Sequence, residues 1–138
     1  MQTDAPQSSE PKRILIVEDN ELNLKLLNDI LAVHGYDTMP TGSGTTALDL
    51  ARQFHPDLIL LDIQLPDISG MEVARRLKAD EQTRDIPLVA VTAFAMPGDR
   101  RMTLESGCDD YVAKPINIHD FLALVARYTS NGRSERVP

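Results

Sequence analysis

The sequence predicts a doubly wound α/β sandwich, five parallel strands in one sheet with five helices divided between its faces. Two observations carry this expectation. Short apolar runs alternate with segments of helical spacing five times over, and the strongest runs are apolar throughout instead of alternating with polar residues. A strand apolar on both sides needs cover on both faces, and a helix between successive strands makes them parallel. At 138 residues and 42% hydrophobic, the chain suits one such domain with its core.

The first strand is read at RILIV, residues 13 to 17. Asn20 is placed to cap the helix that follows, in which Leu24, Leu27 and Leu31 recur on one face before Gly35 stops it. YDTM, residues 36 to 39, is the weakest strand. Ser43 opens a second helix with Ala47, Leu50, Ala51 and Phe54 on one side, and Pro56 closes it. DLILL, residues 57 to 61, reads as a buried strand. In SGME, Ser69 and Glu72 have the spacing of a capping box ahead of Val73, Ala74 and Leu77, and DIP at 85 to 87 is expected to end that helix. PLVAV, residues 87 to 91, is the fourth strand, and Pro97 suits the first turn of a fourth helix ending at Gly107. YVA, 111 to 113, is the fifth. Asn117 then caps a last helix whose apolar stripe is Ile118, Phe121, Leu122 and Val125.

Composition excludes several function classes. No apolar run approaches the roughly 18 residues of a membrane span, and the first residues lack the basic start and apolar middle of a signal peptide, so the expectation is a cytoplasmic protein without membrane insertion. A formal net charge of −7 repels phosphate backbones and anionic lipid, which argues against nucleic acid as a partner. The single cysteine, Cys108, reads as a small buried hydrophobe. Residues 1 to 11 and 130 to 138 are polar and without periodicity and read as disordered tails, leaving one domain over 12 to 129.

In open parallel sheets, sites form beyond the carboxyl ends of the strands. There the sequence places Glu18 and Asp19 after the first strand, Asp62 after the third, Thr92 after the fourth, and Lys114 with Pro115 after the fifth. Carboxylates that meet at 4 Å repel by about 4 kcal/mol per pair at an effective dielectric near 20. A cation must answer that, and hard oxygen ligands favour Mg²⁺, which takes one or two carboxylates with waters and phosphate oxygens. A threonine hydroxyl and a lysine complete a phosphate cradle, in which Asp62 could attack a phosphoryl group.

VEDNELN (17 to 23), DLILLDIQLPDISG (57 to 70), VTAFAM (91 to 96) and KPI (114 to 116) resemble the receiver domain of two-component response regulators, over about residues 12 to 129. The resemblance implies a flavodoxin-like, CheY-like (βα)5 fold. It implies that Asp62 accepts the phosphoryl group, and that Mg²⁺ is held by Asp19, Asp62 and the backbone carbonyl of Gln64, with Glu18 acting through water. Thr92 and Lys114 would contact the phosphoryl oxygens, Tyr111 would be the switch aromatic, and the bond before Pro115 would be cis. The phosphodonor would be a histidine kinase or phosphotransfer protein. The receiver would supply its own catalytic groups for transfer and slow dephosphorylation, with Gln64 and Phe94 modulating water's approach. Output would pass to a protein partner through the fourth helix, fifth strand and fifth helix, and dimerisation on activation stays open. Among receivers the text is most similar to single-domain regulators of bacterial cell division, which implies a cell-cycle role and recruitment to cell poles by partner kinases.

Other readings fit less well. A phosphatase of the haloacid dehalogenase type also places an aspartate after a strand, but needs a second acid two positions on, where Gln64 stands. A receiver serving a hybrid kinase system is an alternative for the pathway. An unphosphorylated scaffold usually lacks the lysine or an acid, and this chain has both. His34, His55 and His119 lack ligand spacing, His34 suiting a helix-dipole partner. TGSG at 41 to 44 has no following Gly-Lys-Ser/Thr and reads as a turn, not a nucleotide loop. The arginine pairs at 75 to 76 and 100 to 101 read as solvated helix faces.

Overall fold

A computed structural model describes residues 11–93 and 97–131, without the side chains of 97–100 and 130–131. Most of the two tails expected at the chain ends therefore lies outside the described residues. Elements follow in the order β1 (Arg13–Val17), α1 (Glu21–Val33), β2 (Asp37–Thr41), α2 (Gly44–Phe54), β3 (Leu58–Asp62), α3 (Gly70–Ala79), β4 (Leu88–Thr92), α4 (Pro97–Glu105), β5 (Asp110–Ala113) and α5 (Ile118–Ala126). A π-helical turn, Arg127–Asn131, continues α5.

The strands form one parallel sheet in the order β2-β1-β3-β4-β5. The chain leaves β1 toward one edge for β2 and returns to the other side for β3, so the strand order reverses between β1 and β3. That reversal opens a crevice at their carboxyl ends. Successive residues of a strand point to opposite faces, and the core is accordingly double. Leu15, Val17, Ile59, Leu61 and Ala90 pack with Ala47, Ala51, Val73, Ala74 and Leu77 of α2 and α3. Ile14, Ile16, Leu58, Leu60, Val89 and Val91 pack with Leu27, Leu31, Phe121 and Val125 of α1 and α5.

β3 and β4 each run one residue further than their apolar stretches suggest. Asp62 is the last residue of β3, in register with Val91, and Thr92 the last of β4, in register with Ala113. Backbone pairing does not depend on side-chain polarity, so the ladder continues into the polar positions and holds both rigidly. β2 is an edge strand, where Pro40, paired with Ile16, costs no ladder bond on the outer side.

The helix starts follow the caps: Asn20, Ser43 and Asn117 accept from the amides of Asn23, Thr46 and Asp120. Three local expectations change. Ser69 caps α3 by accepting from Met71 N, but Glu72 turns to Arg75 and Arg76 at 3.2 and 3.1 Å, so it does not complete a capping box. α3 also stops at Ala79, ahead of DIP, because Asp80 starts a separate turn by accepting from Gln82 N while buried Thr83 donates to the Leu77 carbonyl at 2.6 Å. Ile118 is 48% exposed and does not join the core stripe of α5. Cys108 is buried, and His34 Nδ1 lies 2.8 Å from the Ile30 carbonyl in the last turn of α1. Among the described residues no helix is long and apolar enough to cross a membrane.

Candidate functional site

At the crevice, Glu18 follows β1 directly and is 1% exposed, its amide donating to the Thr41 carbonyl of β2. Its side chain is bound at both oxygens: Lys114 Nζ lies 2.9 Å from Oε1, and Asn20 N donates to Oε2 at 3.1 Å. Asn20 thus caps α1 with its side chain and holds Glu18 with its backbone. Burial pushes the Glu18 carboxyl above its usual range; the Lys114 ammonium pulls it back, and nearby Asp62 raises it further.

Asp62 is 5% exposed. Gln64 N donates to Oδ1 at 3.0 Å, and Lys114 Nζ lies 3.5 Å from Oδ2. Lys114, just past β5, is itself tied to β4 through its amide and the Thr92 carbonyl at 2.9 Å, and the Lys114–Pro115 bond is cis. Thr92 is fully buried. Asp19 and Gln64 are exposed at the rim, and Tyr111, paired with Ala90, is half-buried in β5 against the α2–α3 core. Phe94 lies outside the described residues.

The structure therefore joins Glu18, Asp62 and Lys114 directly, with Thr92 beside them on β4 and Asp19 at the mouth. The positive charge that meets the buried carboxylates is the Lys114 ammonium, and among the described residues no three carboxylate, imidazole or thiol groups stand close enough to hold an ion by themselves. A hard divalent cation still suits the donor set, since Mg²⁺ keeps several waters and needs only one or two carboxylates beside phosphate oxygens. Chemically, one carboxylate is fixed by an amide, flanked by an ammonium and shielded from bulk water, an arrangement suited to accepting a group that carries negative charge.

The sequence profile of the response regulator receiver domain matches residues 14–126. The chain belongs to that family. This receiver is 54% identical to the polar-differentiation response regulator DivK of Brucella ovis over 117 residues, 85% of this chain and 95% of that protein. DivK of Brucella anthropi is 52% identical over 118 residues, 86% and 96% of the two chains. Among solved structures, the receiver domain of a sensor histidine kinase from Pseudomonas aeruginosa PAO1, with a magnesium ion coordinated in its active site cleft, superposes with a TM-score of 0.81 at 33% identity, covering 87% of this chain and 98% of that one. A CheY-like receiver from Methanospirillum hungatei gives 0.84 at 28% identity, covering 91% and 99%. The receiver is a two-component signalling module with the doubly wound CheY-like fold, and its family membership implies a histidine kinase as partner.

Two supporting features are invisible to sequence reasoning. Gly70, at the start of α3, sits so close to the end of β3 that an added Cβ would lie 2.5 Å from Ile63 Cα and 2.6 Å from the Asp62 carbonyl oxygen. Asp67, in the β3–α3 loop, reaches across to the start of α2. By sequence alone Gly70 is only part of SGME, and Asp67 only a letter of the motif around Asp62.

Proposed function

We propose that this receiver accepts a phosphoryl group on Asp62 from a histidine kinase or phosphotransfer protein, and signals by phosphorylation-dependent protein contact. The observation that carries the reading is the buried Asp62, fixed by Gln64 N and facing the Lys114 ammonium at the strand-order reversal. An Asp62 oxygen forms the new bond to phosphorus as the bond to the donor's nitrogen or oxygen breaks, and Lys114 and Thr92 bind the transferred oxygens. Asp19, Asp62 and the Gln64 carbonyl would hold Mg²⁺, with Glu18 acting through water. When bound, the ion neutralises charge that builds on the phosphoryl oxygens. Slow loss of the phosphate to water returns the module to rest. The likeness to DivK over 95% of its length supports a stand-alone regulator of cell division or cell-cycle progression, cytoplasmic and recruited to cell poles by partner kinases.

Incubation with acetyl phosphate and Mg²⁺ tests this. Acid-stable, hydroxylamine-labile phosphate should appear on the wild type and vanish in Asp62→Asn; label retained by that variant would reject the acceptor assignment.

The donor has an apolar approach. Leu22, Leu26 and Ile118 are 77%, 50% and 48% exposed, and a cavity of about 200 Å³ between α1 and the β5–α5 loop reaches Glu18 and Lys114. Exposed leucines beside a site suit a helical protein surface. Replacing Leu22 and Leu26 by alanine should slow transfer from a phosphotransfer protein about tenfold, or about 1.4 kcal/mol, while labelling by acetyl phosphate stays unchanged. Equal rates with the protein donor would exclude this surface as the docking site.

Output is read on the face of α4, β5 and α5. Met102 and Leu104 of α4 are exposed, and a cleft of about 270 Å³ between β5 and α5 runs from Tyr111 to Phe121 and Leu124. Movement of Thr92 toward the phosphoryl group would be coupled to Tyr111 and so to this cleft. Dimerisation on activation would use the same face.

A further inference from the structure

The β3–α3 loop, residues 63 to 69, is tied to α2 more firmly than its exposed sequence suggests. Asp67 Oδ1 accepts from Gly44 N at 3.1 Å, and Oδ2 from Ser43 Oγ at 3.0 Å and from Thr45 N and Thr45 Oγ1 at 3.2 Å each. The first two amides of α2 are thus capped by a residue 22 or 23 positions away, while Ser43 serves the third, that of Thr46. Those amide bonds, at the positive end of a helix, hold the Asp67 carboxyl far below the usual carboxylate range. Beside this polar tie is an apolar one. Gly44 has no room for a Cβ, which would fall 2.4 Å from Ile68 Cγ2 and 3.2 Å from Leu65 Cδ1.

The same loop carries Gln64, whose amide holds Asp62 Oδ1. Gln64 itself is exposed, and its bond to Asp62 spans two residues, so it depends on the backbone conformation at Ile63 and Gln64, where the loop begins. The loop is closed at its far end by Gly70 N donating to the Ile63 carbonyl at 3.0 Å. Between these two anchors, Asp67 is the polar attachment to the rest of the molecule that the described hydrogen bonds show.

We infer that Asp67 is a positioning residue for phosphoryl transfer: by tying the loop to the start of α2, it keeps the Gln64 amide on Asp62 and the acceptor oxygen aimed. This rests on the reading of Asp62 as acceptor. The rival is that Asp67 merely caps α2, in which case its loss costs stability and nothing at Asp62. Displacement of a reacting group by even 1 Å can cost two orders of magnitude in rate, so a loosened loop should be visible kinetically.

The test compares Asp67→Ala, Asp67→Asn and Thr83→Ala. Thr83 is buried at the far end of α3, so its loss destabilises without touching the loop. Initial labelling by acetyl phosphate should fall at least fivefold in Asp67→Ala, and exchange of the Gln64 amide, followed by NMR, should quicken at least tenfold. Asp67→Asn, which keeps one acceptor oxygen, should recover at least half of the lost rate. Thr83→Ala should lower the melting temperature yet leave both readouts at wild-type values. Unchanged Gln64 exchange in Asp67→Ala, or changes matched by Thr83→Ala, would overturn the inference. A wild type that takes no phosphate would instead sink the acceptor reading, and Gln64 exchange would still judge Asp67.

Discussion

Replacing Lys114 by methionine is expected to lower stability at neutral pH by about 3 kcal/mol, because removing one partner of a buried ion pair leaves the others uncompensated. Glu18 and Asp62 are 1% and 5% exposed, and Lys114 bridges them at 2.9 and 3.5 Å. For a domain of this size that corresponds to a melting temperature lower by about 10 °C. The pH dependence follows from Glu18. Its carboxyl already lies above the ordinary 4.5, chiefly through burial, and Lys114 is the leading influence that holds it down. A carboxyl raised in the folded state contributes stability that is present below its unfolded value and lost as pH rises through the folded one. Without the ammonium Glu18 rises further, so the deficit of the variant should be largest near pH 7 and shrink as pH falls through the raised value. Adding Mg²⁺ should recover more melting temperature in the variant than in the wild type, since binding to the folded form alone stabilises it. Labelling by acetyl phosphate should slow about a hundredfold, the usual cost of one lost donor to a developing anion. Melting curves from pH 5 to 8 check the first part, and a deficit that does not change with pH would contradict an origin in the Glu18–Lys114 pair.

How much of this was legible depends on the range over which each signal acts. Apolar runs, caps and helix stripes are local, and they located five strands and five helices, with Asn20 and Asn117 capping as expected and Ser43, read as the opening of α2, capping it. The polar residues at strand ends were legible for the same reason: a run of four apolar residues that meets an acid at Asp62 marks a strand reaching a surface. What periodicity cannot carry is the partner of a side chain that can choose. Glu72 has the spacing of a capping box, yet two arginines on its own helix compete for it. Lys114 suits a phosphate by its place after β5, yet it also reaches Glu18, 96 residues away, and Asp62. Ile118 fits an apolar stripe by spacing, but at the first turn of α5 it lies beyond what the sheet covers. Asp67 and Gly44 meet only because the fold brings the β3–α3 loop to the start of α2, and the sequence around neither announces it.

Substituting alanine for Gly70 should be nearly as costly, through packing instead of charge. The added Cβ meets Ile63 Cα at 2.5 Å, the Asp62 carbonyl oxygen at 2.6 Å and Ile63 C at 3.0 Å, all backbone atoms that cannot rotate away. Gly70 N also donates to the Ile63 carbonyl, so the start of α3 and the end of β3 are held face to face by a bond that the methyl group would force open. Overpacking a close-packed interior costs about 1–3 kcal/mol, and the upper end applies where no side chain can yield. Gly44 gives the contrast. Its closest obstruction, at 2.4 Å, is the Ile68 Cγ2 methyl, the end of a side chain, so Gly44→Ala should cost about 1 kcal/mol if Ile68 changes rotamer. Urea denaturation of the two variants should therefore rank Gly70→Ala well below Gly44→Ala. The kinetic consequence separates them further, since the strand residue forced aside by Gly70→Ala is Asp62 itself. Labelling by acetyl phosphate should fall far more than the folded fraction does, and more than in Gly44→Ala, where the added methyl presses on the Ile68 and Leu65 side chains of the β3–α3 loop and not on the Asp62 backbone. A Gly70→Ala protein that matched the wild type in both measurements would mean that β3 and α3 are not in the contact described, and Asp62 would lose its rigid support.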